Sequence, residues 1–195
     1  MMQNESTFFR LFGGLCYYSP HSENGQNILS AFATQDDELL QNLAKLAQSI
    51  DSDQLEADYF NLLQGSGDMP APPWGSAYLD KENALFGAST MEYREFTRQQ
   101  GLACDTGMRE PDDHIGLMLM LASLLLEQNK VEAANQLLSQ HLMPFAPAML
   151  KGMAKHADSE FYRQLAQITL TWLTLYCEEH QLQILERRNY WQEIA

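Results

Sequence analysis

The chain has 195 residues, 45% of them apolar and 19% charged, with a net charge of −14; that suffices for one large domain or two small ones around a sizeable core and excludes a disordered tail. The negative charge disfavours nucleic acid and anionic membrane surfaces as partners and suits a cationic one; it also has a bland reading, that of keeping the protein in solution. Cys16, Cys104 and Cys177 form no C-x-x-C pair, which excludes a disulfide framework and a zinc knuckle, and no apolar run reaches the roughly 18 residues a membrane span needs, so a cytoplasmic protein with reduced thiols and no membrane insertion is expected.

In chain order, Phe8, Phe12, Leu15 and Cys16 recur at helical spacing behind Ser6, which reads as a buried first helix with a serine cap. The run from Asp36 repeats the pattern through Leu39, Leu43, Leu46 and Ile50, and "DQLEADYFNLLQG" continues it to a stop at Gly65. Gly65 to Ala88 then has no helical period, and its Trp74, Tyr78 and Phe86 speak for an ordered, functional loop. Ser89 with Glu92 forms a capping-box pattern for a helix that closes at Gly101. "IGLMLMLASLLLEQ" is apolar on all sides, as a central buried helix must be. An amphipathic helix from Val131 to Leu142, another opened by Pro147, and a long last helix over Phe161 to Leu185 complete the chain. Neither two-residue alternation nor a hairpin dipeptide occurs, so the expected fold class is all-α.

Two stretches carry functional signal. In "EPDDHIG" three carboxylates, Pro111 and His114 stand against the apolar helix. Pro111 fits a first helical turn, Asp112 or Asp113 complements the helix dipole, and His114 lies on the stripe of Met118, Leu121 and Leu125, the place of a histidine sealed at a core edge. The same residues permit a metal-dependent helical hydrolase using Asp112, Asp113 and His114, although adjacent helical residues diverge by about 100°. In "PAPPWGSAYLD", Pro72 and Pro73 stiffen the backbone, Trp74 offers a broad apolar face and Gly75 permits close approach of another chain; this makes either a groove wall for an apolar peptide or a plug for the core. Gly13-Gly14 lacks the context of a phosphate loop, and Arg187-Arg188 has no apolar segment behind it to make an export signal.

Taken together, "EPDDHIG", "PPWGSAYLDKENALFG" and "HLMPF" resemble the TorD/DmsD family of cytoplasmic chaperones for molybdenum-cofactor reductases, and the "PPWGS" loop with "LFG" behind it looks most like the dimethyl sulfoxide reductase branch. The resemblance implies a single multi-helix domain over 1–195, with halves at about 1–101 and 111–195 joined by a hinge at about 102–110. It implies no enzymatic activity and no cofactor. As partners it implies the twin-arginine signal peptide and precursor of a molybdoenzyme catalytic subunit, with translocase components as further partners and a monomer or domain-swapped dimer as the assembly. Carried over position by position, the peptide site comprises Tyr59, Leu62, Leu63, Pro73, Trp74, Gly75, Ser76, Tyr78, Pro111, Asp113 and His114. Leu63 departs from the phenylalanine often found there, and Tyr78 stands where the branch can have tryptophan. On this reading Asp113 meets an arginine or orients His114, and His114 hydrogen-bonds the bound chain.

Overall fold

The computed structural model describes residues 2–65, 69–102 and 111–191. Cys104, Glu110 and, Leu102 apart, the expected hinge lie outside the described residues. Ten α-helices, three short turns of other helical type and a single β-bridge make up the regular structure of those residues.

The first helix, α1 (Met2–Tyr17), begins four residues before the expected Ser6 cap, since nothing in that lead-in breaks a helix, and Ser6 sits buried within it. The next helix, α2 (Glu23–Ala33), is the element the sequence pattern concealed. Asn24, Gly25 and Asn27 are poor helix formers, but the Ser22 hydroxyl accepts from the Gly25 N–H at 3.1 Å, and burial of Leu29 and Phe32 supplies the rest. Then come α3 (Glu38–Ser49), capped by Asp37, and α4 (Ser52–Tyr59), capped by Asp51. The latter widens into a π-helical turn, Phe60–Gln64, which buries Leu62 and Leu63.

The aperiodic stretch holds only a single turn, α5 (Ser76–Leu79), and a 3-10 turn, Lys81–Asn83. The capping box expected for α6 (Ala88–Gln99) does not form. Gly87 is the cap residue, and the Ser89 N–H and hydroxyl instead donate to Asp80, at 3.0 and 2.6 Å, because this loop carboxylate is the stronger acceptor. Gly101, at φ 73°, closes α6 in the left-handed conformation that suits glycine.

The apolar segment is α7 (Ile115–Glu127), buried as expected. It crosses α1 at Gly13 and Gly116, where a Cβ on either glycine would lie within 2.8 Å of the other's carbonyl oxygen. This gives Gly13 a packing role. Beyond α8 (Val131–Gln136) a second π-helical turn spans Leu137–Leu142. The last two helices, α9 (Ala146–His156) and α10 (Glu160–Glu179), pair as a hairpin. The end of α10 comes six residues before the expected Leu185, because Gln181 turns left-handed (φ 52°) and the Leu182 N–H bonds back to the Cys177 carbonyl at 2.9 Å. From there the chain runs without regular structure to Tyr190.

Several ties bind the early helices to the late ones, two of them at aromatic and carboxylate positions. Phe8 of α1 stacks on Trp172 of α10 with ring centres 3.8 Å apart. The buried Asp58 of α4 accepts from the Ser159 N–H (2.8 Å) and hydroxyl (2.6 Å) at the head of α10. No helix among the described residues is long and apolar enough to cross a membrane.

Candidate functional site

The π-helical turn, the aromatic loop and the head of α7 meet at one place. Trp74 and His114 form the isolated antiparallel bridge. Around it, Gly75 N–H donates to the Asp113 carbonyl (3.0 Å) and Ile115 N–H to the Pro73 carbonyl (2.8 Å). The Ser76 N–H donates to the Asp113 carboxylate at 2.5 Å, and the Thr90 hydroxyl does so at 3.2 Å. Gly75 is needed for this approach, since a Cβ there would sit 2.9 Å from the Phe145 ring and 3.4 Å from Asp113.

His114 is the N-cap of α7. Its Nδ1 accepts from the Gly116 N–H at 3.0 Å, so its Nε2 carries the proton and donates to the Leu63 carbonyl at 3.1 Å. That carbonyl belongs to the last turn of the π segment, where carbonyls lack helical partners. The ring stands edge-on between Tyr17 (5.3 Å) and Trp74 (6.0 Å). Burial pushes the imidazole down to about 4, against the opposing hydrogen bond to Leu63. Neither ring nitrogen is left for a bound chain, and Asp113 does not orient His114; the two side chains serve different partners because consecutive residues diverge at a helix start.

Burial raises the Asp113 carboxyl above its ordinary range, even though Ser76 and Thr90 donate to it. Its neighbour Asp112 pairs with an arginine of this chain: Arg94 Nε and Nη2 donate to Asp112 at 2.7 and 3.2 Å, and the guanidinium also lies 5.6 Å from the centre of the Phe86 ring. With Asp112, Asp113 and His114 each turned to a separate partner, the three do not converge on a common metal or substrate point. Among the described residues no group of three or more potential ligands could hold a metal ion.

All eleven expected residues lie in or beneath this junction. Tyr59 donates to the Tyr17 carbonyl at 2.6 Å, Leu62 and Leu63 are buried in the π turn, and Tyr78 packs on Phe145. Pro111 is buried at the entry to α7, and only Trp74 of the set keeps appreciable exposure. Sequence reasoning missed Thr90, Arg94 and Phe145; the "HLMPF" motif held the signal for the last. Trp74 Nε1, Ser76 Oγ, Tyr78 OH and Asp113 Oδ1 are buried without a hydrogen-bond partner, four of seven such side-chain atoms among the described residues.

The site is thus an aromatic loop latched to an Asp-His pair at the head of a buried helix in an all-helical chain. Residues 29–151 match the family described as nitrate reductase delta subunit, and the chain belongs to that family, the TorD/DmsD chaperones. The Tat proofreading chaperone DmsD of Salmonella typhi is 35% identical over 172 residues, covering 83% of this chain and 84% of the relative. The chaperone protein TorD of Shewanella loihica is 27% identical over 141 residues, 70% and 67% of the two chains. A redox enzyme maturation protein from Archaeoglobus fulgidus shares the fold, with a TM-score of 0.65 at 19% identity over 87% of this chain and 93% of that one. DmsD-type chaperones are thus the nearer of these named relatives in sequence.

Proposed function

We propose that the protein is a cytoplasmic maturation chaperone that binds the twin-arginine signal peptide of a molybdoenzyme catalytic subunit, dimethyl sulfoxide reductase being the favoured client, and holds it until the cofactor is inserted. The carrying observation is the concentration of unpartnered buried polar atoms on Trp74, Ser76, Tyr78 and Asp113. Native proteins leave few such atoms, and their clustering marks a place where hydrogen bonds can be exchanged with a group from elsewhere. Trp74 forms the apolar wall, Pro73 and Gly75 hold it rigid, and Asp113 is a carboxylate that burial leaves short of compensation. A cationic leader with an apolar continuation satisfies both needs. His114, with Tyr59, Leu62 and Leu63 beneath it, acts by positioning: it fixes the loop against the π turn.

The test is titration calorimetry with a synthetic dimethyl sulfoxide reductase leader against the parent and Trp74→Ala. The variant is expected to bind at least tenfold more weakly with an unchanged far-ultraviolet spectrum, since Trp74 is the one member of the site that is not fully buried. A leader with its arginine pair replaced by glutamines should bind the parent less than about tenfold more weakly, mainly through slower association. Equal binding of the intact leader by both proteins would place the site elsewhere.

A further inference from the structure

After α10 the chain returns across the molecule. Leu185 N–H donates to the Ser139 carbonyl in the second π turn at 2.9 Å, and Tyr190 N–H donates to the Tyr78 carbonyl at 2.8 Å. Between these anchors Arg187 forms an ion pair with Glu92 of α6. The Trp191 ring reaches Tyr78 with centres 5.8 Å apart, and Arg188 sits 5.1 Å from the centre of the Tyr190 ring. An arginine pair followed within three residues by two aromatics therefore lies, without regular structure, on the edge of the aromatic loop. Arg187 closes a cavity that Gly75, Asp113 and His141 also line, leaving about 10 Å³, on the order of one water molecule.

The hold is light for a terminal segment that stays. Ile184 and Leu185 are 36% and 43% exposed, and the anchoring contacts include two backbone hydrogen bonds, one ion pair and one aromatic contact. This is the composition expected of an arginine-headed apolar peptide at the same site: a carboxylate for the guanidinium, paired backbone and an aromatic wall.

We propose that the segment Gln183–Trp191 is a built-in stand-in for the leader: it occupies the arginine-receiving end of the peptide site, formed by Glu92, the Ser139 carbonyl and Tyr78, and the client's arginine-bearing segment must displace it. The inference rests on the leader-binding reading above. It gives the site a threshold, because affinity for an arriving peptide is reduced by the fraction of molecules in which the tail is seated. The setting of His141 agrees: burial first, and then the nearby Arg187, hold its imidazole down to about 4, against the pull of Glu92.

The experiment compares the full-length parent with a full-length Arg187→Ala/Trp191→Ala variant, both titrated with the synthetic dimethyl sulfoxide reductase leader. Loosening the tail is expected to tighten binding at least fivefold. Amide exchange at Leu185 and Tyr190 should be slow in the free parent and fast once the leader is bound. Unchanged or weaker leader binding by the variant, or protection that persists in the complex, overturns the stand-in and leaves the leader site standing. If neither protein binds the leader, the leader reading falls and the stand-in with it. A variant that had lost its fold would show a lowered melting temperature together with weaker binding; Arg187→Lys, which keeps the ion pair with Glu92, is the control expected to behave as the parent.

Discussion

His114 lies on the apolar stripe of α7, as periodicity placed it, yet it belongs to the helix cap and not to the core wall. The ring cannot be charged without losing a bond, because Nδ1 must accept from Gly116 while Nε2 donates to Leu63. Its folded value of about 4 lies below the ordinary 6.5, so the unfolded chain binds the proton first as pH falls. His114 therefore contributes its full stability above about pH 6.5 and loses it progressively towards pH 4, a loss of about 3 kcal/mol at 1.36 kcal/mol per unit. Asp113 works in the opposite sense: its raised folded value means that its contribution declines as pH rises through that value. Replacing His114 with Gln, whose amide can donate and accept, isolates the histidine. The variant's urea midpoint is expected to be much flatter between pH 6.5 and 4 than the parent's; an equal slope would show that His114 is not the group being titrated. The identity of these residues was legible in "EPDDHIG", but their division of labour was not. Which carboxylate meets Arg94 depends on where α6 ends up relative to α7, and nothing in a local pattern encodes that.

Helix crossings, rather than helix lengths, set the geometry of the elements. At the α1–α7 contact both backbones approach because neither has a side chain at the contact point. Gly13 and Gly14 look alike in sequence and differ here. A Cβ at Gly13 would sit 2.8 Å from the Gly116 carbonyl and 2.9 Å from the Met120 nitrogen, both backbone, whereas at Gly14 the close atom is the end of the Ile28 side chain, which can turn away. Gly13→Ala should cost about 2 kcal/mol through overpacking, while Gly14→Ala should change stability by less than about 0.5 kcal/mol, the helix propensity of alanine offsetting the side-chain shift. Chemical denaturation of the two variants decides it, and equal costs would refute the close crossing. Periodicity found α3 by its apolar stripe, while α6 was legible from its Ser89 start and Gly101 stop, α7 from its all-round apolarity and α9 from Pro147. It missed α2, which tertiary burial rescues from poor propensity, and it ran α10 too far because a left-handed Gln181 leaves no compositional mark. The two π turns were read as plain helix, since one extra residue in a turn alters neither composition nor capping; yet the first supplies the Leu63 carbonyl and the second the Ser139 carbonyl to the site.

At the scale of the whole molecule the charge is uneven: residues 1–113 carry 18 acidic against 6 basic side chains, and residues 114–195 carry 8 against 6. Part of the acidic excess is already spent internally, since Asp112 faces Arg94, Glu92 faces Arg187, and Asp58 and Asp80 accept from Ser159 and Ser89. What remains is a diffuse negative field, which speeds the approach of a cationic peptide more than it strengthens the final contact. The final contact would be made at Trp74 and its loop, where burial of apolar surface at about 25 cal/mol per Å² is little affected by salt. Raising salt from about 0.1 M to 1 M shortens the screening length from about 10 Å to about 3 Å. Over that range the leader's dissociation constant is expected to rise by less than about tenfold, with most of the change in the association rate, as rim charges act. Stopped-flow fluorescence of a dye-labelled leader alongside equilibrium titration separates the two. A loss of a hundredfold or more, carried by faster dissociation, would mean that ion pairs and not the aromatic wall hold the peptide, and would move the centre of the site from Trp74 to the carboxylates around it.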